Sequence, residues 1–425
     1  MMNSPRTSFP RRIWLAMLSI GPGLFCIGYT VGTGSVTSMV KSGSQFGMQL
    51  LWVLLLSCLY AWVLMEAYGR YAIITGGTSI HSFKTRLKGG KFLAILVMVG
   101  IIVAQWNALT GILGLSSHGI YEVLRLFLPT LPENSYWGIL GLAIVLIIIM
   151  YGLLLVGNYS FFEKVLVVFV TIMGLSFIVS MFMVLPDPGS IARGLIPSIP
   201  KMPGGKLMVA AFVGTTMAAP TFVVRPLLLK GKGWNAENVK DQSRDALISA
   251  ILMLVINLSI MAAAMGALFY QGKTVEKVLD MVYTLEPVAG KFAVALFMVG
   301  TLSAGLSSIF PILMVAPLLI ADYKSGELDT NSKMFKVITA IACVFGLTVP
   351  IMGANPIIAQ IATQVASVFV LPLVIGGIFF LVNNKKLMGK HKAGFLLNLG
   401  MITAFVFACI ISYTGALALN ELFKF

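Results

Sequence analysis

The sequence predicts an all-α integral membrane protein with eleven transmembrane helices, and three observations carry that prediction. Of its 425 residues, 58% are hydrophobic and only 11% are charged, whereas a soluble chain of this length carries about 25% charged residues. The apolar residues gather into eleven runs of roughly the 20 residues needed to cross a ~30 Å hydrocarbon core at 1.5 Å per residue. Two of those runs are interrupted midway by glycine, proline and hydroxyl residues. An ordinary cytosolic enzyme is excluded. The formal net charge of +15 fits the cytoplasmic edges of a membrane protein better than a nucleic-acid partner, because the chain is otherwise so apolar.

The predicted spans cover 13–38, 46–74, 91–121, 136–156, 159–185, 207–229, 244–270, 290–321, 333–352, 355–382 and 393–419. The connections collect residues that are expensive in lipid, such as Pro186-Asp187-Pro188-Gly189 and Lys230-Gly231-Lys232-Gly233, while spans 4 and 5 meet abruptly at Gly157-Asn158. Together they form one transmembrane domain over 1–425: five helices in 13–185, five in 207–382 and an extra helix at 393–419. With the N-terminus inside, 21 of the 30 Lys and Arg residues fall on the inner side. The positive-inside rule then places the N-terminus in the cytoplasm and the C-terminus outside, in what reads as a bacterial plasma membrane. Arg11-Arg12 before an apolar run resembles a signal peptide, but no A-x-A-like site follows, so the first run is read as a retained helix.

The interruptions carry the functional reading. Span 1 contains Gly28-Tyr29-Thr30-Val31-Gly32-Thr33-Gly34-Ser35-Val36-Thr37-Ser38, and span 6 contains Gly214-Thr215-Thr216-Met217-Ala218-Ala219-Pro220-Thr221. Pro220 removes a backbone donor and is expected to kink the turn before it. Broken backbone at membrane depth must be buried in protein or line a cavity, since each unsatisfied polar group there costs several kcal/mol. Spans 1 and 6 each open a set of five, so the breaks hold equivalent places in two halves. That pattern points to a secondary transporter with inverted repeats and a midplane site.

Four further stretches flank the breaks: Gly43-Ser44-Gln45-Phe46-Gly47-Met48-Gln49-Leu50-Leu51-Trp52, Ile256-Asn257-Leu258-Ser259 in span 7, Ser303-Ala304-Gly305-Leu306-Ser307-Ser308 in span 8, and Gln364 eight residues before Pro372. In order and spacing, from Gly21-Pro22-Gly23 through span 10, they resemble the Nramp (natural resistance-associated macrophage protein) family of divalent-metal transporters. The resemblance implies a LeuT-type 5+5 inverted repeat with broken helices 1 and 6, alternating access, and a metal ion as substrate. The departures are as informative as the matches. Where the family has D-P-G-N this chain has Gly32, Thr33, Gly34 and Ser35, and the family's M-P-H falls on Ala218-Ala219-Pro220. The stretch of span 3 that is acidic in the family reads Val103-Ala104-Gln105-Trp106-Asn107-Ala108-Leu109-Thr110-Gly111, without a carboxylate. Proton coupling in the family's manner therefore lacks its acids.

The ligand positions that the resemblance implies thus fall on Gly32, Ser35 and Ala218. What remains is neutral: backbone carbonyls with Thr30, Thr33, Gly34, Ser35, Thr215, Thr216, Met217, Gln364, Asn107 and Asn257. Such a set suits a cation that keeps part of its water shell, as Mg²⁺ does, better than bare Mn²⁺ or Fe²⁺, because a dehydrated divalent ion needs anionic or strongly dipolar ligands. The residues equally admit a small organic acid or zwitterion, since half-helix N-termini are positive dipole ends. A sensor that keeps the fold without transporting is a third reading, although the longest inner loop, around 75–91, is short for signalling.

Outside the breaks, Glu66 and Arg70 stand at i and i+4 near the inner end of span 2, a local ion pair or inner gate. Arg225 follows the span 6 break where the family has a histidine; it is a candidate gate or coupling residue and a candidate countercharge for an anionic substrate, while its nearness to Lys230 favours a side chain that snorkels to the inner interface. None of His81, His118 and His391 has metal-ligand spacing, the 24 methionines are read as packing or lipid-facing, and Cys26, Cys58, Cys343 and Cys409 lie in apolar runs. No nucleophile, base or metal constellation for an enzyme is found. No cofactor is expected; the partners are a small-molecule or ion substrate and the lipid bilayer, and a monomer would suffice.

Overall fold

The computed structural model describes residues 21–423 except 129, 134, 157–158, 185–186, 277–279, 281–285 and 325–330. The opening of the first predicted span, 13–20, and the Gly157-Asn158 turn lie outside the described residues. Within them the chain is helical and carries no strand. The first span is split into α1 (Gly21–Thr30) and α2 (Thr33–Phe46). Next come α3 (Leu51–Thr75), a short α4 (Ser79–Arg86), α5 (Gly90–Phe127), α6 (Tyr136–Val156), α7 (Tyr159–Met183) and a short α8 (Pro188–Gly194). The second interrupted span gives α9 (Gly205–Thr216) and α10 (Ala219–Gly231), then α11 (Val239–Leu268) and α12 (Glu286–Lys324). The remainder is α13 (Lys333–Gly346), α14 (Thr348–Met352), α15 (Pro356–Ser367), α16 (Leu371–Asn383), α17 (Lys385–Met388) and α18 (Phe395–Phe423).

Ten stretches among the described residues are long and apolar enough to cross a membrane. The α1–α2 pair, diluted by glycine, serine and threonine, is not among them. The eleventh helix therefore rests on the sequence for its opening residues. Span 3 reaches further than its predicted end at 121, and α5 takes in a buried Glu122 paired with Arg125 at 2.8 Å.

The spans divide into a core and a rim. Within the most apolar part of each, 94% of the residues of Gly205–Gly231 and 89% of Val294–Lys324 are enclosed by protein, against 28% of Phe395–Glu421. The α9–α10 and α12 segments are therefore walls of an interior, while α18 mainly meets lipid, as its exposed Phe395, Leu396 and Ile410 show. Around that interior α12 packs along α7 and α5, α11 lies against α2 and α3, and α15 lies against α5 and α9. Small residues permit the closest approaches: a Cβ on Gly43 would run into the Met261 carbonyl of α11, and one on Gly214 into the Gln364 carbonyl of α15.

A buried carboxylate ties the short α4 to the core. Asp322 near the end of α12 is fully buried; it accepts from the Thr78 hydroxyl, from Ile80 N at 2.9 Å and from His81 N at 3.3 Å. These are the orphan donors of a helix N-terminus, which favour a negative partner. Lys84 at the other end of α4 donates to the Tyr323 carbonyl at 2.9 Å. Asp322→Ala leaves those donors buried and unpaired, so it should lower unfolding stability by about 2–3 kcal/mol. Thermal denaturation of the detergent-solubilised protein checks this, and an unchanged midpoint would show that α4 is held by Ile80 and Phe83 packing alone.

Candidate functional site

Both breaks are local and extended. Between α1 and α2 the chain passes through Val31 and Gly32, the latter at φ −93° and ψ −169°. Between α9 and α10 it passes through Met217 and Ala218, the latter at φ −60° and ψ 116°. Pro220 plays a different part from the one its sequence position suggests. It is the second residue of α10 rather than an interior kink, and in a first helical turn its missing N–H has no intrahelical partner to lose. The breaks are joined directly, since Thr215 Oγ1 donates to the Thr30 carbonyl at 3.3 Å.

Hydroxyls from neighbouring helices complete the backbone at the breaks. Ser308 Oγ of α12 donates to the Gly28 carbonyl at 2.7 Å, and Ser367 Oγ of α15 donates to the Gly214 carbonyl at 3.0 Å. Thr30 Oγ1 turns back to the Cys26 carbonyl at 2.7 Å. Several carbonyls that the sequence offered as cation ligands are thereby already engaged.

Between the breaks lies a cavity of about 30 Å³, walled by Tyr29, Thr30, Gly32 and Gly34 from the first break and by Gly214, Thr215 and Ala218 from the second. Gln105 of α5, Ser308 of α12, and Gln360 and Gln364 of α15 complete its polar wall. At roughly 10–15 Å³ per water centre, it holds about two waters. No charged side chain lines it, and the described residues hold no group of three or more His, Cys, Asp or Glu that would ligate a metal ion.

The sequence-derived candidates are thus partly assembled. Thr30, Gly32, Gly34, Thr215, Ala218 and Gln364 meet at the cavity. Thr33, Thr216 and Met217 are buried beside the breaks without lining it, and the first two hydroxyls have no partner among the described residues. Ser35 is drawn away to Asn257 Oδ1 on α11, at 2.8 Å. Asn107 faces a separate apolar groove with Leu96, Val99 and Phe369, and its amide nitrogen bonds its own helix at the Val103 carbonyl, 2.8 Å away. Gln105 and Gln360 take the place on the wall expected for Asn107. Gln360 stands one turn before Gln364 on the same helix face, a signal present in the sequence.

Arg225 does not snorkel. Its side chain is fully buried: Nη2 pairs with Asp245 Oδ2 at 2.6 Å and donates to Gln242 Oε1 at 3.0 Å. The attraction of a carboxylate inside the bundle, with no water to reach, outweighs the pull of the interface. The network extends both ways from there. Asp245 Oδ1 accepts from Gly23 N in α1 at 3.1 Å, and Gln242 Nε2 donates to Glu66 Oε2 at 2.8 Å. Glu66 Oε1 in turn accepts from Arg70 at 2.6 Å and from Ser243 at 3.0 Å. The Glu66–Arg70 pair expected from the sequence is therefore one end of a buried polar chain through α3, α11, α10 and α1.

The family model described as natural resistance-associated macrophage protein-like matches residues 23–418. The chain belongs to the Nramp family. Among curated Nramp relatives, the divalent metal cation transporter MntH of Verminephrobacter eiseniae is 23% identical over 381 residues, covering 88% of this chain and 82% of its own. That of Vibrio campbellii is 24% identical over 382 residues, with 88% and 86% covered. In fold, this Nramp chain resembles the Eremococcus coleocola manganese transporter at TM-score 0.73 and 16% identity, covering 99% of this chain and 89% of that one. It also resembles MhsT, solved with L-phenylalanine, at TM-score 0.65 and 14% identity, with 94% and 98% covered. The all-helical fold is thus that of the Nramp and LeuT-type transporters.

Removing one partner of a buried ion pair costs about 3–5 kcal/mol, because it strands the other charge, whereas removing both costs much less. Arg225→Leu alone should therefore destabilise this Nramp protein strongly, and Arg225→Leu with Asp245→Leu should recover most of the loss. A double-mutant cycle by denaturation gives the coupling, and additive effects would count against a working pair.

Proposed function

We propose that this chain is a secondary-active carrier of a small divalent cation, working by alternating access around the cavity between the two breaks. The observation that carries the reading is the cavity itself, walled by both broken helices in a chain of the Nramp family. Its relatives are named as transporters, not enzymes. Neutral oxygens at Thr215, Gln105, Gln360 and Gln364 favour an ion that keeps part of its water shell, Mg²⁺-like, over Mn²⁺ or Fe²⁺, which gain most from charged or sulfur ligands. A volume of about two waters is too small for such a shell, so loading requires the breaks to part. With the N-terminus cytoplasmic, the Glu66–Arg225–Asp245 network lies on the inner side and serves as the inner gate.

A small organic acid or zwitterion is the second reading, favoured by the positive dipole ends at Thr33 and Ala219, where α2 and α10 begin. Its natural countercharge, Arg225, is held by Asp245, which weakens it.

Uptake of Mg²⁺ and Mn²⁺ into proteoliposomes carrying a metal-sensitive dye, with imposed membrane potential and an ionophore control, tests the proposal. Saturable uptake of Mg²⁺ is expected, and none of either ion by folded protein would overturn it. Gly34→Trp and Thr216→Trp should each abolish uptake, because a side chain at residue 34 collides with Gln364 and Gln360, and Thr216 is fully buried beside the second break. Normal uptake by both would remove the site from between the breaks. Gly32→Asp restores a charge at the family's ligand position, and its extended backbone accepts aspartate. A Cβ there meets the Ser308 hydroxyl, so the change is paired with Ser308→Ala. The double variant should bind Mn²⁺ at least tenfold more tightly than wild type, by titration calorimetry.

A further inference from the structure

Two side chains of the cavity wall, Tyr29 and Gln360, hold buried polar atoms without a hydrogen-bond partner among the described residues, and the Gln360 amide has more unmet bonding capacity than the Tyr29 hydroxyl. Gln360 is 1% exposed, and both its Oε1 and its Nε2 are among those atoms. An amide carries one acceptor oxygen and two donor hydrogens, and buried polar groups are almost always paired. The nearby hydroxyls of Ser308, Thr215 and Ser367 are committed to backbone carbonyls. Two glycines make the room that the amide occupies. A Cβ on Gly111 of α5 would strike Gln360 Oε1, and one on Gly34 of α2 would come within 2.6 Å of Gln360 Nε2. Gln364 one turn later and Gln105 from α5 border the same space.

We propose that Gln360 is a direct ligand of the transported cation, and that Gln105, Gln360 and Gln364 form an amide-oxygen set in place of the charged and sulfur ligands missing at Gly32 and Ala218. This rests on the divalent-cation reading above. Amide oxygens are hard, neutral donors. They hold Mg²⁺ directly or through its waters and offer transition metals no added preference. Because the two ends of an amide exchange by a half-turn about its terminal bond, Gln360 can bring its oxygen to the Gly34 side, which lines the cavity, and turn its NH₂ toward Gly111. Its desolvation is then compensated only when the ion is present, so the residue both binds the substrate and sets which ion is preferred.

The test compares wild type, Gln360→Leu and Gln360→Glu in Mg²⁺ and Mn²⁺ uptake, together with the melting temperature of each without metal. Gln360→Leu should raise KM for Mg²⁺ about tenfold, the loss of one ligand interaction, while its melting temperature holds or rises because an unpaired polar group has gone. Gln360→Glu places a carboxylate at the same reach and should shift preference toward Mn²⁺ by tenfold or more. A purely packing role predicts the reverse for Gln360→Leu, with KM within twofold of wild type or uptake lost only in step with melting temperature, and either result overturns the proposal. If Gln360→Leu does not fold, Gln360→Glu decides alone, and an unchanged Mn²⁺-to-Mg²⁺ ratio overturns it. Wild type that transports neither ion instead removes the divalent-cation reading before any variant is compared.

Discussion

Two helices are cut open at membrane depth, and everything around them answers that cut. A backbone carbonyl in hydrocarbon without a donor costs several kcal/mol, so the exposed ends must be covered by other parts of the chain. Ser308 covers Gly28, Thr215 covers Thr30 and Ser367 covers Gly214. Those three donors come from α12, α9 and α15, so the covering also fixes which helices surround the breaks. The enclosure of α9–α10 and α12 follows from the same need. Membership of the Nramp family and likeness to LeuT-type folds describe this solution, in which interrupted helices are tolerated because their ends are housed in protein.

Charge is arranged in layers rather than spread through the interior. The cavity wall is neutral, whereas the pairs Arg225–Asp245 and Glu66–Arg70 lie beside it, bridged by Gln242. The network reaches α1 through Gly23 N, and α1 reaches the cavity through Tyr29 and Thr30. One ten-residue half-helix therefore carries contacts with both layers. An ion entering a wall without countercharge meets dipoles only, which makes the number and orientation of amides and hydroxyls the quantity that sets its affinity.

Much of the fold was legible in the sequence because apolar run length and mid-run glycine are local signals. The two breaks were legible for the same reason, and so was the Glu66–Arg70 pair, which needs only i,i+4 spacing. What was not legible depends on which helix faces which. Arg225 read as a snorkelling residue because its nearest charge in sequence is Lys230, while its partner Asp245 lies 20 positions on, across a loop. Asn107 and Gln105 are neighbours on α5, and composition cannot say which of them turns inward; the structure puts Gln105 on the cavity and Asn107 on an apolar groove. Pro220 read as a kink because its place relative to the restart of the helix at Ala219 is not written in the residue itself.

The pairing of Arg225 with Asp245 also bears on how the chain enters a bilayer. Insertion scales put a lone charge at about 2.5–3.5 kcal/mol at the centre of a helix and at less toward its ends, and Arg225 and Asp245 lie near the loop on either side of the same short hairpin, α10 and α11. Delivered one after the other, the two spans would each carry that penalty. Delivered together, they present a neutralised pair. Entry of the hairpin as a pair of spans thus carries a smaller charge penalty than entry of either arm alone.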